Sequence, residues 1–178
     1  MFSGGQLQTL ICAGIIGPQI AFAAVASTTQ HVVVTLAPAG KVNAPASVTL
    51  DHTGSFSSYR GTATVQYSAR TASAGSAAIN LQGTSDFSPA GGPAISHGAL
   101  TYSCAGATLG SACGGVQTVS LTAAAPVVAI PAGACTGGGV QCSPTDPNVV
   151  VLTLFVDDDP GAPTGAYRAQ ITFTYSNP

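Results

Sequence analysis

Apolar and polar residues alternate along most of this chain, and no window shows the spacing of an amphipathic helix. Between residues 62 and 70, for example, Ala63, Val65 and Tyr67 alternate with threonine, glutamine and serine. Such alternation places apolar side chains on one face of a strand and polar side chains on the other. The pattern predicts strands at residues 31–36, 47–52, 62–70, 77–82, 100–104, 119–123 and 167–175.

The last two predicted strands differ in pattern. In residues 167–175, tyrosine, isoleucine and phenylalanine share one face, as is typical of an antiparallel strand with its other face in solvent. Residues 148–156 instead carry apolar residues on both faces. We therefore expect the strand at 148–156 to be central in its sheet and covered on both faces, by its own domain or by another chain.

Clusters of glycine and proline separate the strands, for example at residues 88–93, 137–139 and 160–163. Short strands punctuated in this way are typical of β-sandwiches. The sequence therefore predicts an all-β fold, an immunoglobulin-like antiparallel β-sandwich of about seven to eight strands. No fixed-period repeat and no second domain is apparent, so residues 27–178 are interpreted as a single domain.

The first 26 residues have features of an export signal. Ala21-Phe22-Ala23 and Ala24-Val25-Ala26 end an apolar stretch, and both fit the small-x-small pattern of a cleavage site. No lysine or arginine precedes the stretch, and an N-terminal membrane segment is the alternative, although a proline and a glutamine interrupt it. We expect residues 1–26 to be a signal peptide that directs bacterial-type export to the cell surface or beyond. We expect no stable membrane span to remain after its cleavage.

Four cysteines lie in the predicted mature domain: Cys104, Cys113, Cys135 and Cys142. Four cysteines allow three pairings, and the two shortest spacings favour Cys104–Cys113 and Cys135–Cys142. A four-thiolate metal site is the alternative, but structural zinc uses tighter pairs and exported proteins meet an oxidising compartment. The sequence therefore favours two disulfides, each closing a glycine-rich loop.

Charged residues make up only 6% of the chain, against about 25% in an ordinary soluble domain. There are four basic and six acidic residues, and the formal net charge is −2. This balance excludes a basic surface for nucleic acid and a polybasic patch for membranes. A surface of small neutral side chains repels its own copies poorly, which suits a protein packed against neighbours.

Candidate catalytic residues are sparse. The histidines His31, His52 and His97 are scattered and belong to no catalytic motif, and a G-x-S-x-G nucleophile elbow is absent. The six acidic residues include no glutamate, and half of them form a single run, which disfavours the paired carboxylates of a glycosidase. We therefore expect neither an enzyme nor a bound cofactor.

The acidic run Asp157, Asp158 and Asp159 is the best candidate for a ligand site. Carboxylates at a strand end suit Ca²⁺, which takes about six to eight oxygen ligands. The spacing of a dedicated calcium loop is missing, and the alternatives are a solvated turn or charges that keep a hydrophobic strand from aggregating.

Carbohydrate binding is another option for a secreted sandwich, and sugar sites commonly use exposed aromatic side chains. The chain has no tryptophan, and most of its tyrosines fall on inward-facing positions, with Tyr59 as the exception.

A candidate donor strand follows the predicted cleavage site and contains Val32, Val34 and Leu36 on one face. An alternating apolar strand at a free end can pair with the sheet of a neighbouring subunit, which is β-strand addition. Proteins that stay monomeric blunt free sheet edges with lysine, and this chain has a single lysine, Lys41. The two C-terminal strands are the candidate acceptors, and in the strand at 148–156 the candidate residues are Val150, Leu152 and Leu154.

The ending Thr164-Gly165-Ala166-Tyr167-Arg168-Ala169-Gln170-Ile171-Thr172-Phe173-Thr174-Tyr175 resembles the terminal strand of bacterial surface sandwiches. These include the pilin-like spore-coat-U proteins of chaperone–usher systems, which finish with Gly-x-Tyr followed by alternating threonine and apolar residues. The resemblance implies a groove that receives a donor strand, and polymerisation with copies of the same chain. An assembly chaperone is a further candidate partner. The implied acceptor residues are Tyr167, Ile171, Phe173 and Tyr175.

We therefore expect an extracellular structural subunit that self-assembles into a pilus-like or other surface fibre, with donor-strand addition as the candidate route. A monomeric surface sandwich that binds a ligand or carbohydrate is the alternative, with residues 31–36 as the first strand of its own domain. The place of that strand distinguishes the two: pairing within its own chain favours the monomer, and insertion into another copy favours the fibre.

Overall fold

The computed structural model describes residues 32–52, 54, 56–135, 142–143 and 147–177. The chain divides into a body that begins at Leu36 and a segment that precedes it. Of the preceding segment, the structure describes residues 32–35. The predicted signal peptide, residues 1–26, lies outside the described residues, as does His31. Across the described ranges, no helix combines the length and the apolar character needed to cross a membrane.

Nine strands form two antiparallel sheets in the described part of the chain. The first sheet has the strand order β1-β2-β8-β4-β6, and the second has the order β5-β7-β3-β9. The strands are β1 (Ala39–Asn43), β2 (Tyr59–Arg70), β3 (Ala77–Ser88), β4 (Leu100–Ala105), β5 (Ser111–Ala112), β6 (Val116–Thr118), β7 (Ala125–Ile130), β8 (Asn148–Val156) and β9 (Arg168–Ser176). A 3₁₀ helix, Ile95–His97, lies between β3 and β4. The predicted antiparallel β-sandwich is confirmed, with more strands than expected.

The inward faces of both sheets form one hydrophobic core, because alternate residues of each long strand point to the same side. Two core tyrosines keep their hydroxyl groups paired. Tyr67 donates to the carbonyl of Leu109 at 2.5 Å, and Tyr102 donates to that of Pro126 at 2.8 Å. Each large aliphatic side chain buried here stabilises the fold by about 1.5–3 kcal/mol. The largest fully buried apolar residues are Tyr67, Tyr102, Ile79, Leu81, Ile130, Leu152, Val65, Val119, Val127, Val128 and Val150.

Both disulfides favoured by the cysteine spacing are present. Cys104 lies in β4 of the five-stranded sheet, and Cys113 follows β5 of the four-stranded sheet, so this disulfide joins the two sheets. Their Cα atoms are 5.3 Å apart. The second disulfide joins Cys135 and Cys142, between β7 and β8.

Three of the predicted strands are wrong: those at residues 47–52 and 119–123, and the one at 31–36, whose described residues 32–36 form no strand. Residues 47–52 form a single bridge, between Asp51 and Arg60, and the rest of the segment passes over Gly61 of β2 without a regular ladder. Residues 119–123 form no strand, and β7 follows them instead.

The sequence pattern did not predict strand β7, because it contains Pro126 and proline is normally confined to edge strands and bulges. The structure accommodates this proline at a bulge: Ile79 lies opposite Val128 and Asn80 lies opposite Pro126, so Val127 is the extra residue. Val127 and Val128 are consecutive and both fully buried, which a regular alternating strand does not allow.

Candidate strand-acceptor site

The free edge of β9 is the longest one in the described part of the sandwich. β9 has nine residues and pairs only with β3, whereas the other edge strands, β1, β5 and β6, have five, two and three residues. β9 contains neither lysine nor proline, and its one charged residue is Arg168 at its beginning. β9 therefore lacks the lysine and proline residues that often protect an edge, although its ladder with β3 is irregular between Gly83 and Ser88.

The inner face of β9 is apolar but only half covered. Ala169, Ile171, Phe173 and Tyr175 pack against the core, yet each of them stays partly exposed, and no residue of β9 is fully buried. Among the described residues no strand pairs with the free edge of β9, so Ala169, Ile171 and Phe173 each lack a packing partner on that side. A further strand beside β9 would supply one.

Tyr175 closes one end of this face. Its ring lies over Gly40 of β1, where a Cβ atom would overlap the ring, and its hydroxyl lies 3.4 Å from the carbonyl oxygen of Ala39, to which it donates. Burial raises the pKa of Tyr175. Gly40 is therefore required for the close approach of β1 to the end of β9.

Tyr167 precedes the other end of β9. Its hydroxyl donates to the Pro163 carbonyl at 2.6 Å, and its ring lies over Gly92 in the loop after β3. Of the four residues implied as acceptors by the resemblance, Ile171 and Phe173 lie in the middle of β9, whereas Tyr167 and Tyr175 each make contacts with neighbouring backbone.

The candidate acceptor residues of β8 lie elsewhere. Val150, Leu152 and Leu154 are buried in the five-stranded sheet, and β8 is hydrogen-bonded to β2 on one side and to β4 on the other. Because both backbone edges are occupied, β8 offers no place for an added strand. The expectation that β8 is central in its sheet holds, but its outer face, with Val149, is only partly covered.

The candidate donor residues stand outside the sheets. Residues 32–36, which we call the N-terminal arm, form no strand, and Val32, Val34 and Leu36 are 85%, 72% and 69% exposed. The predicted first strand is therefore not part of either described sheet. An isolated apolar strand has nothing to pair with until a sheet edge is supplied.

Arg70 holds the chain just after the arm. The Nε and Nη2 atoms of Arg70, the last residue of β2, both donate hydrogen bonds to the carbonyl oxygen of Ala37, with Nε at 3.0 Å. Pro38 follows, and the residue before a proline is restricted to extended conformations. The backbone from Ala37 onward is thus tied to the body.

The acidic run does not converge on one point. Asp157 accepts a hydrogen bond from the Ser58 hydroxyl at 2.8 Å, and Asp159 accepts one from the Gly161 backbone N–H at 2.8 Å. Within the described ranges, no three histidine, cysteine or acidic side chains come together as a metal-binding group. Asp157, Asp158 and Asp159 occupy the turn after β8.

The remaining candidate side chains lie apart from β9. His52 contacts the Tyr59 ring edge to face, with 4.7 Å between ring centroids, and its Nδ1 lies 2.8 Å from the Gly54 carbonyl oxygen. Arg60 lies over the Phe155 ring at 5.3 Å. His97 is exposed in the 3₁₀ helix. These contacts give no arrangement of nucleophile, base and acid.

No protein-family model, curated protein or solved structure matches this chain. The interpretation of the β9 edge therefore depends on its own geometry. Two residues of this site were not anticipated from the sequence, Gly40 and Arg70. No local sequence pattern marks either residue, because Arg70 contacts Ala37 and Gly40 contacts Tyr175, which are distant along the chain.

Proposed function

We propose that this chain is an extracellular structural subunit that assembles with copies of itself into a pilus-like surface fibre by β-strand addition. The arm of one copy would add to the free edge of β9 in the next. The observation that carries this proposal is the long free edge of β9, which has neither lysine nor proline and has a half-covered apolar face. The two disulfides are compatible with an oxidising extracellular location.

The physical gain comes from two sources. In an antiparallel pair, the backbone groups of alternate residues point away from the partner, so β9 has N–H and C=O groups aimed at its free edge. An added strand pairs with them and brings its own apolar side chains against Ile171 and Phe173. Each valine or leucine that becomes fully buried contributes about 1.5–3 kcal/mol.

The geometry of such an assembly is head to tail. The arm and the β9 edge are unlike surfaces, and joining unlike surfaces generates open filaments when the arrangement does not close on itself. Before assembly the same edge exposes apolar side chains, so a chaperone that covers β9 is a second partner consistent with this proposal.

The test is a charged substitution in the arm with a matched control beside it. Val34→Lys is expected to abolish filaments in negative-stain images, because the charge would have to be buried against β9. Val33→Lys changes the neighbouring residue, which is 86% exposed and points to the opposite side of an extended strand, so filaments are expected to persist. Both variants are expected to unfold within about 0.5 kcal/mol of the unmodified protein.

Three results would contradict the proposal. The unmodified protein would remain a monomer at high concentration, the Val34→Lys variant would lose its fold, or both lysine variants would lose assembly equally. A stable monomer that binds a saccharide or surface ligand would favour the alternative of a monomeric adhesion sandwich.

A further inference from the structure

A contact within the same chain limits how much of the arm, and how much of the β9 edge, is available to pair with another copy. Arg70 limits the arm, because its guanidinium holds the Ala37 carbonyl through two donors. A planar guanidinium that donates twice to one oxygen fixes the position of that carbonyl more firmly than a single bond would. Residues up to Leu36 are therefore the ones that remain available to another sheet.

Tyr175 limits the length of the β9 face that is available to an added strand. Its ring fills the space over Gly40, and its hydroxyl lies beside the Ala39 carbonyl, so this position of the inner face is already covered by β1 of the same chain. At the other end, β9 begins at the exposed Arg168, and its pairing with β3 is irregular from Gly83 to Ser88, opposite Ile171 to Arg168. Three half-covered apolar residues remain between these limits: Ala169, Ile171 and Phe173.

We propose that these two limits set the register of assembly, so that the three apolar side chains of the arm lie beside three residues of β9 in the next copy, with Val34 beside Ile171. This inference rests on the proposed function and adds to it the positions that pair. Both sets have a spacing of two residues, which is the repeat of side chains on one face of a strand. The central pair is the same whether the added strand runs parallel or antiparallel to β9.

The central pair can be tested by cysteine cross-linking between different copies. One preparation carries Val34→Cys, and others carry Ala169→Cys, Ile171→Cys or Phe173→Cys; these are mixed in pairs, assembled and oxidised. Facing residues on paired strands have Cβ atoms about 4.5–5.5 Å apart, against about 7–8 Å for diagonal neighbours, and a disulfide needs about 4 Å. We therefore expect the Val34–Ile171 disulfide to form about tenfold more than either offset pair.

The outer pairs then report the direction of the added strand. In an antiparallel arrangement Val32 links to Phe173 and Leu36 to Ala169, and in a parallel one these two partners are exchanged. Equal linking of Val34 to all three positions, or preferred linking to position 169 or 173 in normal filaments, would overturn the register and leave strand addition intact. Failure of the unmodified chain to form filaments would overturn the proposed function and the register together.

Arg70 is a positioning residue in this proposal, and its contribution has its own test. Arg70→Gln frees the Ala37 carbonyl, so the arm can slide and the excess of the Val34–Ile171 disulfide over the offset pairs should fall from about tenfold toward onefold. Arg60→Gln is the matched control, since it removes the same charge at the other end of β2 and leaves Ala37 anchored. Arg70→Lys keeps the charge without the forked donor and is expected to behave like the glutamine variant.

A second readout follows the anchor in the monomer, independently of filaments. With Val34→Lys blocking assembly, a spin label at Leu36→Cys should be less mobile than one at Val32→Cys, and Arg70→Gln should remove this difference. If the label at position 36 is as mobile as that at position 32 in the presence of Arg70, or if Arg70→Gln leaves the cross-linking ratio unchanged, the anchor does not set the register.

Discussion

Strands β8 and β9 have the same length, and each carries large apolar residues on its inner face, yet their surroundings are opposite. β8 is paired on both edges and buries every second residue, whereas β9 is paired on one edge and buries none fully. The difference does not come from the hydrophobicity of their inner faces, since both carry large apolar residues. It comes from strand order, because β9 is the last strand of its sheet and a neighbour is missing. A central strand and an edge strand can therefore both have an apolar inner face, but only the edge strand leaves backbone groups and side chains for a further strand to cover.

The largest effect expected from this comparison is on stability. Leu152→Ala removes a fully buried side chain from β8 and should destabilise the fold by about 2–5 kcal/mol. Ile171→Ala removes a half-covered side chain from β9, and we expect about 1–2 kcal/mol. Urea unfolding of both variants in the assembly-deficient Val34→Lys background measures the difference on monomers. Equal losses would mean that the face of β9 is as well packed as the core.

Alkaline unfolding sharpens the comparison through two tyrosines. Burial raises the pKa of Tyr102, which lies opposite Leu154 of β8, to about 12, and also raises that of Tyr175 in β9. The unfolded chain loses these protons near its usual pKa of about 10 while the folded chain keeps them, so stability should fall as pH rises from about 10 to 12.

Phenylalanine variants separate the two contributions to this alkaline dependence. Tyr102→Phe should flatten the pH dependence of the free energy of unfolding more than Tyr175→Phe, because Tyr102 is fully buried and Tyr175 is not. Thermal unfolding at a series of pH values measures both slopes. A larger change for Tyr175→Phe would show that the end of β9 is the less accessible of the two sites.

The smallest expected effect concerns β3, the strand that holds β9. Partial burial alone would raise the pKa of Asp86, but hydrogen bonds from the Ser96 hydroxyl and from the backbone N–H groups of Ile95, Phe87 and Ser96 lower it to about 2. The charged form is thus favoured by folding, and its stabilisation is present above pH about 3.8 and lost as pH falls toward 2.

Asp86→Asn should reduce stability slightly at neutral pH and weaken the acid dependence between about pH 4 and 2. Unfolding followed at pH 7, 4 and 2.5 measures this, with Asp158→Asn as a control in the exposed turn after β8. An unchanged acid slope in Asp86→Asn would show that this carboxylate does not contribute through its charge.

Much of the sandwich could be predicted from local pattern. The strands β2, β4, β8 and β9 coincide closely with alternating segments, and β3 extends its predicted segment from residue 82 to Ser88. β1 was missed because it is short and begins with Ala39 and Gly40, and β7 because Pro126 disrupts its pattern. The arm was predicted as a strand because its apolar and polar residues alternate, but a strand also needs a neighbour, and residues 32–36 pair with neither described sheet.

The candidate site was predictable in part for the same reason. The apolar face of β9 is visible in the sequence, and so are Val32, Val34 and Leu36. The apolar residues on both faces of residues 148–156 predicted that β8 is central, whereas the place of β9 at the edge of its sheet depends on strand order, which local pattern does not contain. The contacts of Arg70 with Ala37 and of Tyr175 with Gly40 join residues 33 and 135 positions apart, so no local motif reports them.

The Cys104–Cys113 disulfide has a consequence for how a groove could widen. It joins the sheets near β5, which is at the opposite edge of its sheet from β9. Sliding the sheets apart as rigid layers would stretch this covalent link. The covalent link therefore restricts separation of the sheets most strongly near β5 and least at the β9 edge.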